Sequence, residues 1–343
     1  VRSTSDLSTV SSKIINYEKA TYLSQISDYY EKAAMAGDPS SSGNSCVITK
    51  ESIKQSLENH GFGDVSIKTS GSGWATWMQN ELEDGVLFFN YRGYLGMSGF
   101  STSNVDNANN GWKLPFATVL TCGTGSFAED QTAVSEKFFR AGSVSNPRGG
   151  VAAIGTATWN THTLFNNIVD MGIYDGLLAD DVETAGAALA SGKLALYNTY
   201  PGDPYDWVSA FTQWNNLMGD AATHIYSDTP EVFAVTHNST VSYGTNYLDV
   251  EVLDSRGNPV PDSQVSLTTS RHCPSFSDQA VVAEHEEEKE EGVQIEEEVA
   301  AQKEEETASS LFGVQQIVVD RRETKRGRAE GAGNGHGHCP FSG

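Results

Sequence analysis

Cys122 is the residue with the sharpest chemical promise. It closes an apolar run, Phe116–Thr121, and Gly123 and a helical stretch follow it. A thiol placed there meets exposed backbone amides and a helix N-terminus. Both favour the thiolate, the form that attacks a carbonyl. The competing reading is a buried core thiol, since free cysteine is among the most buried residue types. Gly123-Thr124-Gly125-Ser126 is also Gly-rich ahead of a helix, as in a phosphate cradle. It lacks the GxxxxGK pattern and has no lysine to reach a phosphate. Two other strand ends carry polar and aromatic groups: Asn90-Tyr91-Arg92-Gly93-Tyr94-Leu95-Gly96, and Gly155-Thr156-Ala157-Thr158-Trp159-Asn160-Thr161-His162. Arg92 either grips a carboxylate bidentately or pairs with an acidic neighbour and braces its loop. Ser103, Asn104, Asp106, Asn107, Asn109 and Asn110 make an oxygen-rich loop suited to a structural calcium ion, without EF-hand spacing. An ordinary polar loop is the competing reading. No other cofactor is implied. His272-Cys273 and His338-Cys339 are adjacent pairs rather than the spaced pairs of a zinc site.

Positioning these groups falls to alternating strands and helices. Helices are expected over 5–20, over 49–59 with Thr49 as N-cap and Gly61 as stop, and over 73–83. Further helices are expected at 128–141, 163–179, 182–198 and 207–218. The runs 85–91, 116–121 and 150–155 are short and apolar, the mark of strands buried on both faces, and 65–69 alternates like a strand. Such alternation implies an α/β fold with a mostly parallel sheet covered by helices. In such sheets ligands bind beyond the carboxyl ends of the strands, where Cys122 falls. After Asp228-Thr229-Pro230 the texture becomes strand-like at 232–236, 246–253 and 263–268, as at the start of an immunoglobulin-like sandwich.

The 343 residues carry a net charge of −23, which repels phosphate backbones and argues against nucleic acid. No apolar run is long enough for a membrane span. Residues 270–343 hold 16 acidic and 8 basic residues with few apolar ones, so disorder is expected there. Residue 1 is Val, and no signal-peptide pattern opens the chain.

The segments Asn90-Tyr91-Arg92-Gly93 and Thr121-Cys122-Gly123-Thr124-Gly125-Ser126-Phe127, each ending a strand, resemble the gingipain family of cysteine peptidases. Gly37-Asp38-Pro39 after Ala33-Ala34-Met35-Ala36 fits the same family, as does Asp228-Thr229-Pro230-Glu231-Val232 leading into a β module. The resemblance covers roughly residues 1–269. It implies a caspase-like α/β catalytic domain over 1–237, a partial immunoglobulin-like module over 238–269, and the charged tail over 270–343. By the family's layout the chain begins inside the catalytic domain. The implied activity is hydrolysis of protein or peptide substrates, in a secreted or cell-surface setting. A Cys/His dyad would carry it, with an oxyanion held by backbone amides. Cys122 falls on the nucleophile and the amides of Leu95 and Cys122 on the oxyanion hole. The family pattern Asn-Tyr-x-Gly-His-Gly places Tyr94 where the histidine belongs. Tyrosine ordinarily titrates near 10, which makes it a poor base. His162, just past the third strand end, is the best-placed substitute, with Tyr94 lining the site. His60, His224 and His237 read as structural or surface residues. Trp159 falls where the family has a wall of its specificity pocket. A peptidase-fold protein that binds without cleaving is the alternative function.

Overall fold

The computed structural model describes residues 1–203, 206–237, 240–241, 249–260, 264–268, 312–313 and 316–320. Two compact units divide at Pro230. In the first unit, β1 (Lys32–Gly37), β2 (Asp64–Lys68), β3 (Phe88–Arg92), β4 (Phe116–Val119), β5 (Ala152–Thr156) and β6 (Asn215–Met218) form one sheet of order β2-β1-β3-β4-β5-β6. The first five strands run parallel and β6 is antiparallel to β5. Among the described residues, ten helices surround them: α1 (Thr4–Glu18), α2 (Leu23–Ile26), α3 (Pro39–Ser42), α4 (Ser45–His60), α5 (Trp74–Asp84), α6 (Thr102–Asn107), α7 (Val134–Arg140), α8 (Thr163–Leu178), α9 (Ala185–Thr199) and α10 (Trp207–Trp214).

Strand alternation sorts the core into two layers. Ala33, Met35, Phe88, Phe116, Ala152 and Ile154 face one cluster, closed by Ile53 and Leu57 of α4, Val169 and Ile173 of α8, and Leu196 of α9. Ala34, Ala36, Phe89, Tyr91, Ala117, Val119 and Ala153 face the other, closed by Met78 and Leu82 of α5, Val105 of α6 and Phe138 of α7. Burial on both faces is why these strands read as unbroken apolar runs.

Three sequence expectations are corrected. Thr49 is not a cap: α4 starts four residues earlier, and the Thr49 hydroxyl donates back to the Ser45 carbonyl. Gly61 does end that helix. The helix expected over 128–141 is confined to Val134–Arg140. The helix expected to run to Met218 stops at Trp214, and Asn215 opens β6 instead, its side chain buried and accepting from Thr156 Oγ1 at 3.0 Å.

α1 is tied to α7 by Lys13. Its buried ammonium donates to the carbonyls of Phe139 (2.8 Å), Arg148 (2.8 Å), Phe138 (3.1 Å) and Ala141 (3.5 Å). Burial pulls Lys13 down from 10.5 to about 7. A lysine whose folded value is depressed holds fewer protons than the unfolded chain between the two values, so stability rises with pH across that window. The thermal midpoint is therefore expected to climb from pH 7 to pH 9, and Lys13→Met to flatten the climb. A midpoint that stays level in the unaltered protein would contradict this.

In the second unit, β7 (Ala234–His237) pairs antiparallel with β9 (Val250–Leu253). β8 (Thr240–Val241) pairs with β11 (Phe312–Gly313), and β10 (Gln264–Thr268) with β12 (Gln316–Asp320). Two short strands of the charged tail thus pair with the β segment. The rest of the expected tail, with Cys273 and Cys339, lies outside the described residues.

Candidate active site

The carboxyl ends of β1, β3, β4 and β5 bring Asp38, the 93–99 loop, Cys122 and the 157–162 segment to one edge of the sheet. Cys122 is a free thiol, 9% exposed. Its sulfur lies 2.9 Å from Thr161 Oγ1. Gly123 takes φ +74°, and a Cβ there would lie 2.7 Å from the Trp159 ring, so the indole lies on the backbone beside the thiol. Trp159 is 58% exposed, and its Nε1–H donates to Glu129 Oε1 at 2.7 Å, joining the loops that follow β4 and β5.

The amides of this loop are mostly spent. Gly123 N–H donates to Thr158 O (2.8 Å) and Gly125 N–H to Thr156 O (3.0 Å), while Thr124, Ser126 and Phe127 bond within the loop. The expectation that exposed amides after Cys122 would hold a thiolate therefore fails, and a phosphate cradle fails with it. The helix α7 also begins well beyond the thiol, at Val134. Among the described residues, the amides of Cys122 and Leu95 make no hydrogen bond.

His162 is exposed and is the N-cap of α8, its Nδ1 accepting from Leu164 N–H at 3.2 Å. Among the described residues its neighbour Thr161, not His162, is the hydrogen-bond partner of Cys122. Sequence reading missed Thr161, since a threonine before a helix ordinarily signals only a cap. Tyr94 and Leu95 are 54% and 44% exposed on the loop after β3.

Arg92 corrects its expected substrate role. It is 1% exposed and turned inward. Nε donates to Asn167 Oδ1 (2.8 Å), one terminal nitrogen to the Leu120 carbonyl, the other to Thr163 O (3.0 Å). Three of its five N–H groups go to Leu120, just after β4, and to α8, and its burial turns the guanidinium away from a ligand at the surface. It ties the strand before Cys122 to the start of the helix after His162. Beneath it, Lys50 of α4 pairs with Asp170 of α8, and Asn90 of β3 joins both, all buried. Burial lowers Lys50 to about 8 against the opposing pull of Asp170.

The loop after β3 carries backbone strain. Gly96, Met97, Ser98 and Gly99 all have positive φ (81°, 46°, 54° and 91°). A left-handed conformation costs a non-glycine residue about 1–2 kcal/mol, so Met97 and Ser98 need support. Buried Met97 packs in the second core layer. Ser98 donates to Asp38 Oδ2 and lies 2.9 Å from the Tyr91 hydroxyl. Burial opposes ionisation of Asp38, but donors from Ser40 and Ser98 hold its carboxyl below the usual range.

In the oxygen-rich segment, three of the six residues are engaged within the protein. Asn104 caps α6 by accepting from Ser101, Asp106 pairs with Lys137, and Asn110 braces Lys113 and Gly149. Among the described residues no cluster of three or more His, Cys, Asp and Glu side chains is arranged for a metal ion.

The family model named Peptidase family C25 matches residues 1–226. The chain belongs to this family of cysteine peptidases. Its fold is that of solved gingipains. It is similar to the crystal structure of the Arg-specific cysteine proteinase gingipain R, at 20% identity and TM-score 0.62, over 74% of this chain and 60% of that one. It is also similar to the complex of the Porphyromonas gingivalis RgpB pro- and mature domains, at 19% identity and TM-score 0.63, over 78% and 64%. The C25 chain here thus spans less than two thirds of those structures. No curated protein matches it.

Proposed function

We propose that this C25 chain hydrolyses peptide bonds through Cys122, with His162 as proton carrier. The observation that carries the reading is the contact between Cys122 Sγ and Thr161 Oγ1, which seats the residue next to His162 on the thiol. In the reaction the sulfur bonds to the peptide carbonyl carbon as the thiol proton passes to His162. The carbonyl oxygen takes the electron pair and is held by the free amides of Leu95 and Cys122. His162 then protonates the leaving amine as the C–N bond breaks, and water with His162 as base hydrolyses the thioester. Trp159 would wall the substrate channel and Tyr94 would line it. The proposed setting is secreted or cell-surface. Among the described residues no helix is long and apolar enough to cross a membrane.

One observation favours a second reading, a peptide-binding protein that does not cleave. His162 Nδ1 already accepts the Leu164 N–H, so the neutral ring carries its proton on Nε2 and has no lone pair to spare. A fluorogenic peptide library and a peptide chloromethyl ketone separate the two. Turnover, lost after labelling at Cys122, is the expected result. Peptide binding with neither turnover nor labelling would establish the second reading.

A further inference from the structure

The loop between β3 and α6 is pinned at both ends. At its start, Thr121 Oγ1, the residue before Cys122, donates to Gly93 O at 3.2 Å. Gly93 is packed so closely on the Tyr91 hydroxyl that a Cβ there would lie 2.2 Å away. At its far end the hydroxyl of left-handed Ser98 reaches across to Asp38 on the neighbouring strand's loop. Asp38 is itself fixed: its N–H donates to Arg92 O at 2.9 Å, and its second oxygen accepts from Ser40. Since Ser98 gives its proton to Asp38, the Tyr91 hydroxyl donates to Ser98 Oγ at 2.9 Å or to the Tyr94 carbonyl at 3.4 Å, and either way it braces the loop from β3. Tyr94, Leu95 and Gly96 lie between the two pins.

We propose that Asp38 and Ser98 are positioning residues that hold the 94–97 backbone so that the Leu95 amide is set for the oxyanion at Cys122. This rests on the peptidase reading above. The conformation is unfavourable for Met97 and Ser98, so the loop keeps it only while something outside the loop holds it. Met97 is held by its packing in the second core layer, and the Asp38 carboxylate holds Ser98 through one hydroxyl. An oxyanion donor must be in place before the charge develops, and a donor on a slack loop would lose that advantage.

Three Ser98 variants separate the hydroxyl from the strain. Ser98→Ala removes the hydroxyl and keeps the strain. Ser98→Gly removes both. Ser98→Asn tolerates positive φ and can donate to Asp38. Each is assayed with a fluorogenic peptide, with a peptide aldehyde, and by hydrogen exchange at the 94–99 amides. The aldehyde reports the oxyanion site directly: sulfur adds to the carbonyl carbon, the carbonyl oxygen takes the electron pair, and the thiol proton ends on that oxygen. For Ser98→Ala and Ser98→Gly, kcat is expected to fall 10–100-fold with KM within twofold, aldehyde capture to weaken in step, and exchange at 94–99 to quicken at least tenfold. Ser98→Asn is expected to recover most of each. Unchanged exchange in both the Ala and Gly variants overturns the proposal, as does an Asn variant no better than Ala. An unaltered protein that neither cleaves peptide nor captures aldehyde overturns the peptidase reading and the oxyanion role with it, and exchange then decides whether the Asp38–Ser98 contact holds the loop.

Discussion

Cys122→Ala is expected to remove peptide hydrolysis, by roughly 10⁴–10⁶-fold in kcat, and His162→Ala to lower it by about 10²–10⁴-fold. The first figure is that of a missing nucleophile, the second that of a missing general base. The His162 result is the more informative, because His162 is engaged elsewhere as it stands. Its Nδ1 caps α8 through Leu164 N–H, and an N-cap contact is worth about 1 kcal/mol. That is small beside a catalytic barrier, so the ring can release the amide, turn, and take the thiol proton at little cost. His162→Asn separates the two duties. Asparagine is a good N-cap but no base, so the variant is expected to keep the thermal midpoint of the parent and lose activity as fully as His162→Ala. If His162→Asn instead retains parental kcat, the imidazole is only a cap and the relocated dyad is wrong. Tyr94→His is a companion: it puts a histidine where the resemblance to the family places one, and is expected to recover activity in the His162→Asn background.

The sheet was legible from sequence because its strands are buried on both sides. Phe116–Val119 and Ala152–Thr156 have no exposed face, so short, mostly apolar runs suffice to find them. β6 was hidden because Asn215-Asn216-Leu217-Met218 has no such run and follows α10 without a break. Cys122 was legible from its place after a buried strand. Its partner was not, since Thr161 meets it across 39 residues of chain. Which of its two readings Arg92 takes was hidden for a related reason. Asn90 and Arg92 share the Phe88 side of β3, and sequence alone does not show that α4 and α8 bring polar groups to that side.

Breaking the Lys50–Asp170 pair is expected to be the most damaging change in the core. Both side chains are fully buried, and Asn90 bonds to each. Removing one partner, as in Asp170→Ala or Lys50→Met, leaves an uncompensated buried polar group. The expected cost is about 3–5 kcal/mol, which for a unit of this size lowers the thermal midpoint by roughly 6–20 °C. The double variant Lys50→Met with Asp170→Leu is expected to lose markedly less than the two single losses added, because no charge remains to be solvated. A thermodynamic cycle by chemical denaturation gives the coupling directly, and additive single losses would show the pair to be independent. The pair also bears on the site. α8 begins beside Thr161 and His162 and is held to β3 by Asn90 and Arg92. If the double variant recovers stability but not peptide turnover, the charge pair sets where α8 places those residues and is more than a support for the core.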